Sequence, residues 1–207
     1  MKTTGLISVL ALSLAACGGN QPAPQQTAAI ADAAQPIDQA GSADARAEHA
    51  MQAFTGRLQA TLKDAISQQG AVAAIDVCQQ QAPQIAAEIA AEHDVRIGRV
   101  PVAARGRNPH NSAAGWQLDA LAAFEAAHAA GQPAADLIFS QRDGLPGDVA
   151  LRVMKGLETQ PACLACHGKQ LAAPVHAALA THYPNDAATG FAAGDLRGAV
   201  WVEGPAK

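Results

Sequence analysis

Five consecutive residues, Cys163-Leu164-Ala165-Cys166-His167, place two thiols and an imidazole on little more than one turn of chain. Any fold of this sequence must leave room beside them for whatever those three groups hold. C-x-x-C-H is the attachment pattern of a c-type haem. On one helical turn both thiols face the two vinyl groups at one porphyrin edge, where they form thioethers. The next residue then carries its imidazole beneath the iron as the proximal ligand. With four Cys and seven His in 207 residues, chance supplies the pattern only about 0.003 times. A thiol–disulfide pair would sit on a βαβ frame, which this chain lacks, and zinc would need a second pair of ligands.

A quarter of the residues are alanine and only 3% are aromatic. A core of such small side chains buries little area per residue, and a bulky cofactor would add to it. The net charge of −4 and the pI near 5.9 exclude a general nucleic-acid binder, which needs a basic stripe. At 49% apolar and 15% charged, the chain has the composition of a folded protein.

The N-terminus reads as a targeting signal over 1–16. Lys2 supplies a positive start and Leu6 to Ala16 an apolar run too short to span a bilayer. Leu14-Ala15-Ala16-Cys17 resembles a lipobox, which predicts lipidation of Cys17 after export, and Gly18 points to the outer membrane. Residues 17–44, rich in Gln, Pro and Gly, read as a tether reaching about 30 Å. Membrane attachment is then by lipid alone, and 45–207 is the folded domain.

Within it, Ala47, Met51, Phe54, Leu58, Leu62 and Ile66 recur at helical spacing. A second helix carries Ile75, Cys78, Ala82, Ile85 and Ile89, with a kink or restart at Pro83. Val95 to Val102 reads as a strand. Asn111 or Ser112 is expected to cap a helix bearing Trp116, Ala120 and Phe124. Ala135 to Phe139, Asp148 to Leu157 and Leu196 to Glu203 read as strands, and Pro174 to Thr181 as a short helix. Helices first and strands after predict an α+β domain with an antiparallel sheet.

The stretch C-L-A-C-H-G-K followed by T-H-Y-P-N-D-A-A-T-G-F-A-A-G-D-L-R-G-A-V resembles the C-terminal part of a family of exported single-haem c-type proteins, often described only as a domain of unknown function. A-A-I-D-V-C at 73–78, V-R-I-G-R-V at 95–100 and R-N-P-H-N at 107–111 extend the likeness. Val100-Pro101-Val102 departs from the R-x-S/T expected after I-G-R. The resemblance implies a PAS-like fold, one covalent haem c, and redox sensing or electron transfer with an unnamed redox partner. It also implies a distal Cys ligand, which falls on Cys78.

On residue chemistry alone Cys78 is equally a small buried hydrophobe, and Met154 is the alternative distal ligand. His110, His176 and His182 are weaker candidates, and His49, His93 and His128 read as solvated. Arg105, Arg107 and Arg197 are candidate partners for haem propionates, since guanidinium matches carboxylate. Tyr183 to Phe191 reads as a structured loop. No catalytic group stands out, so a redox protein is favoured over a haem enzyme with an open iron position or a passive haem-stapled lipoprotein.

Overall fold

The computed structural model describes residues 42–206. The expected signal peptide, Cys17 and nearly all of the tether lie outside them. Ser42 opens the first helix, its side-chain oxygen accepting the Ala45 N–H at 3.3 Å. Helix α1 (Ala43–Gln69) therefore takes in the last two residues assigned to the tether. It buries Ala47, Ala50, Phe54 and Leu58, while Ile66, on the same apolar face, is 39% exposed.

The second helical pattern is realised in three pieces: α2 (Ala73–Asp76), a π-turn over Val77–Gln81, and α3 (Ala82–His93). Pro83 is the physical reason. It has no N–H to give to the turn behind it, so the chain widens there before restarting. Cys78 sits on the π-turn.

Strands β1 (Arg96–Pro101), β2 (Ile138–Gln141), β3 (Val149–Glu158) and β4 (Leu196–Pro205) form one antiparallel sheet in the order β1-β4-β3-β2. The domain is α+β, as expected. Strand β2 lies later than Ala135–Phe139, because a 3-10 turn takes Ala134–Asp136. Helix α4 (Trp116–Ala129) starts after Gly115, and neither Asn111 nor Ser112 caps it. The Ser112 hydroxyl instead donates to Pro109 O at 2.7 Å, closing a 3-10 turn over Pro109–Asn111.

Both faces of the sheet are covered. Leu151, Val153, Val200 and Val202 face α1 and α3, while Met154, Ala199 and Trp201 face α4. A third, small cluster joins Ile75 of α2 to Val175, Leu179 and Tyr183 on and just beyond α6 (Ala173–His182). Between β3 and α6 a 3-10 turn over Pro161–Cys163 ends on the first motif cysteine, and helix α5 (Leu164–His167) carries the rest of the motif. No described helix is long and apolar enough to cross a membrane.

Strand β4 bulges near its start. Leu157 pairs with Gly198 and Glu158 with Leu196, which leaves Arg197 as the extra residue. A bulge re-aims a side chain, and this one turns Arg197 toward the motif. Gly198 makes it possible, since a Cβ there would fall 2.2 Å from Val100 O. Gly198→Ala should therefore cost about 2–3 kcal/mol, the upper end for overpacking. Gly204→Ala on the same strand meets only Leu151 Cβ at 3.6 Å and should be tolerated. Equal midpoints for the two variants in urea unfolding would contradict this.

Candidate functional site: a thin slot beside the Cys163–His167 turn

Residues from seven parts of the chain enclose one slot. Cys78 comes from the π-turn, Arg99, Val100 and Pro101 from β1, and Arg105, Arg107, Asn108 and Asn111 from the loop after it. His167 comes from the motif, Tyr183 and Ala188 from the loop beyond α6, and Leu157 and Arg197 from the bulged pair. The slot encloses about 610 Å³ of empty space, its open mouth included. It is narrow.

His167 is held by its own surroundings. Its Nδ1–H donates to Ala188 O at 2.7 Å, a bond whose acceptor can only be the carbonyl. That fixes the tautomer and leaves Nε2 unprotonated, as a ligand nitrogen requires. The Phe191 ring meets the imidazole edge-on at 6.5 Å. Burial above all, then the charges of Arg197 and Arg107, push the imidazole pKa down to about 3 against the opposing Ala188 hydrogen bond. An unfolded His titrates near 6.5, so between those values the unfolded chain binds the extra proton. Stability should be complete above pH 6.5 and fall as the pH drops toward 3. A Tm unchanged between pH 7.5 and pH 4 would contradict this.

The loop Tyr183 to Phe191 is structured, as its composition suggested, and it clamps the motif. Asp186 Oδ1 accepts the Ala188 N–H at 2.8 Å. Asp186 also takes both Arg107 Nε and Nη2, at 3.1 and 3.0 Å. Arg107 Nη2 in turn donates to Cys166 O at 2.7 Å. A continuous run of bonds thus links His167, Ala188, Asp186, Arg107 and Cys166. The Phe191 N–H closes the far side on His167 O at 3.0 Å.

The arginines divide in a way the sequence does not show. Arg107 is met by a carboxylate with both side chains about nine-tenths buried, so it holds the loop and is not free for an outside anion. Arg105 lies 3.5 Å over the Phe191 ring and donates to Thr189 O. Arg197 keeps a buried Nε with no partner. Arg99, unmarked by the sequence, also lines the slot, 5.8 Å over Phe54. Burial lowers the pKa of both Arg99 and Arg197. An arginine between apolar residues of a predicted strand is the signal that could have found Arg99.

Met154 is fully buried between the sheet and α4 and does not line the slot. His110 does not line the slot but lines an adjoining cavity that shares Cys78, Arg99 and Asn108 with it, and His176 lines a further one. His182 bonds Gln79. His128, expected to be solvated, is half-buried, with Nδ1 on Gln132 O and Nε2 accepting the Leu196 N–H. Cys78, Cys163 and Cys166 are all free thiols. Burial raises the Cys166 thiol.

The fit to a planar metal-bearing macrocycle rests on the donor set. Cys163 and Cys166 do not line the slot themselves but stand within four residues of His167, which does; Cys78 lines it with the tautomer-fixed imidazole, and a buried guanidinium there has an unmet donor. Fold and site together define an α+β protein with a thiol–imidazole slot. The sequence model described as "Tll0287-like: Tll0287" matches residues 25–205, and the chain belongs to the Tll0287-like family. A solved structure, the crystal structure of the cyanobacterial heme-protein Tll0287, is 28% identical over 61% of this chain and 71% of its own, with a TM-score of 0.48. Comparison with curated proteins finds no match.

Proposed function

We propose that this chain holds one haem c, bound through Cys163 and Cys166, with His167 as proximal and Cys78 as distal ligand, and serves as an exported redox sensor or electron carrier. The observation that carries the proposal is the slot itself. It gathers the C-x-x-C-H imidazole, already turned with Nε2 unprotonated, and a free cysteine from a separate helix. When bound, the haem iron supplies one-electron redox chemistry. The protein after which the family is named, Tll0287, is a heme-protein, and membership of that family favours the same cofactor.

The chain's residues then take defined tasks. Cys163 and Cys166 tether one edge. The Ala188 carbonyl, held through Asp186 and Arg107, keeps His167 oriented. Arg197 and Arg99, with Arg105 behind them, make the slot cationic and suit an anionic occupant. Two protein ligands leave no position for a substrate, which favours electron transfer or sensing over catalysis. We read the four-stranded antiparallel sheet with its flanking helices as PAS-like.

Optical spectra of the oxidised, reduced and carbon-monoxide-treated reduced protein test this reading. We expect a six-coordinate ferric form with thiolate-type charge-transfer bands. A high-spin ferric form with an open position would replace it with an enzymatic or gas-binding role.

Export and lipid anchoring belong to the same proposal, with Cys17 the lipidated residue, the periplasmic face of the outer membrane the site, and a redox protein the partner. Cys17→Ser should move the protein from the membrane to the soluble fraction. Unchanged fractionation would remove the anchor from the account.

A further inference from the structure

We infer that His182 is the positioning residue for Cys78, bonding Gln79 on one side of it and lying beside Asp76 on the other, and so holding the π-turn that presents its thiol to the slot. The inference rests on the haem reading and adds how the distal ligand is kept in place. His182 ends α6, the helix that follows the motif after a short connection. Its Nδ1–H donates to Gln79 Oε1 at 2.9 Å, across 103 residues of sequence. Its Nε2 lies 4.0 Å from Asp76 Oδ1. Asp76 and Gln79 flank Val77-Cys78, so one ring spans the segment that carries the thiol.

The π-turn needs such a hold. Its i→i+5 pitch is rarely adopted, and Pro83 marks only where the chain widens, not which side chain is turned to the slot. Slipping by one residue into α-helical pitch would rotate Cys78 by about 100° about the helix axis and carry its thiol off the slot. Below the bridge, Ile75 packs against Val175, Leu179 and Tyr183, with Cys166 partly buried on the same cluster. The distal thiol is thus referenced to the segment that bears the proximal imidazole, and the spacing between them is set by contacts of one small cluster.

The test uses the full-length holoprotein, with His182→Ala, His182→Asn and Gln79→Leu variants. Two readouts report on Cys78 rather than on folding: the thiolate charge-transfer band of the ferric protein, and the affinity of ferric protein for added imidazole, which competes with Cys78. His182→Ala should weaken the band and bind imidazole about fivefold more tightly, the equilibrium weight of one net hydrogen bond. Gln79→Leu should do the same from the other side of the bond, and it stands in if His182→Ala does not fold. His182→Asn keeps an amide N–H near the place of Nδ1–H and should stay close to wild type in both. Wild-type bands and imidazole affinity in both His182→Ala and Gln79→Leu would overturn the inference, as would His182→Asn behaving like His182→Ala. A wild-type protein with no thiolate band at all would overturn the Cys78 ligation beneath it, whatever the variants do.

Discussion

The Cys163→Ala, Cys166→Ala double variant is expected to accumulate as unfolded or degraded chain. Among the described residues, eight of the buried apolar side chains are alanines and three are phenylalanines, so the core is thin for its size. A haem packed in the slot would add several times the apolar burial of one Leu side chain. That is on the order of ten kcal/mol before entropy and strain offsets, against a net domain stability of about 5–15 kcal/mol. Without the tether, the slot is left with four arginines and one aspartate facing it or bracing its wall. Those charges repel one another once an anionic occupant is gone. Circular dichroism and melting that matched wild type would show that the fold stands without these two cysteines and whatever they hold, contrary to this expectation.

Cys78→Ala carries the second large effect, on redox behaviour rather than on folding. A thiolate ligand is anionic and favours ferric over ferrous iron, so its loss should raise the reduction potential and abolish the thiolate charge-transfer bands. It should also open a position to carbon monoxide in the reduced state. Cys78 is only half-buried, and Ala fits its place on the π-turn, so the fold should survive the change. An unchanged ferric spectrum and potential would make Cys78 a packing residue. Met154 would not inherit the role easily, since it points into the core between the sheet and α4.

Much of the fold is legible in the amino-acid sequence. The periodicities locate the helices and strands because both obey simple repeats, and the motif announces itself by spacing alone. The departures have physical reasons. Neither Asn111 nor Ser112 caps α4 because a 3-10 turn claims Ser112, and that turn has no periodic signal. The π-turn shows in the sequence only as a proline in a helical pattern. The roles of the arginines depend on partners far off in sequence. Arg107 meets Asp186 across 79 residues, and no local pattern can report that pairing. Arg197 reaches the slot through a bulge that the alternation of β4 conceals. Arg99 escapes notice because its strand carries a second arginine, Arg96, and the sequence does not tell which of the two turns to the slot.

The central claim is a covalently held haem on Cys163 and Cys166. Intact mass measured after acid-acetone extraction, on protein from a host competent in c-type maturation, tests it most directly. The account predicts a chain that keeps the mass of one haem through extraction, and the loss of that mass in the Cys163→Ala, Cys166→Ala variant. A wild-type polypeptide at its haem-free mass would contradict it.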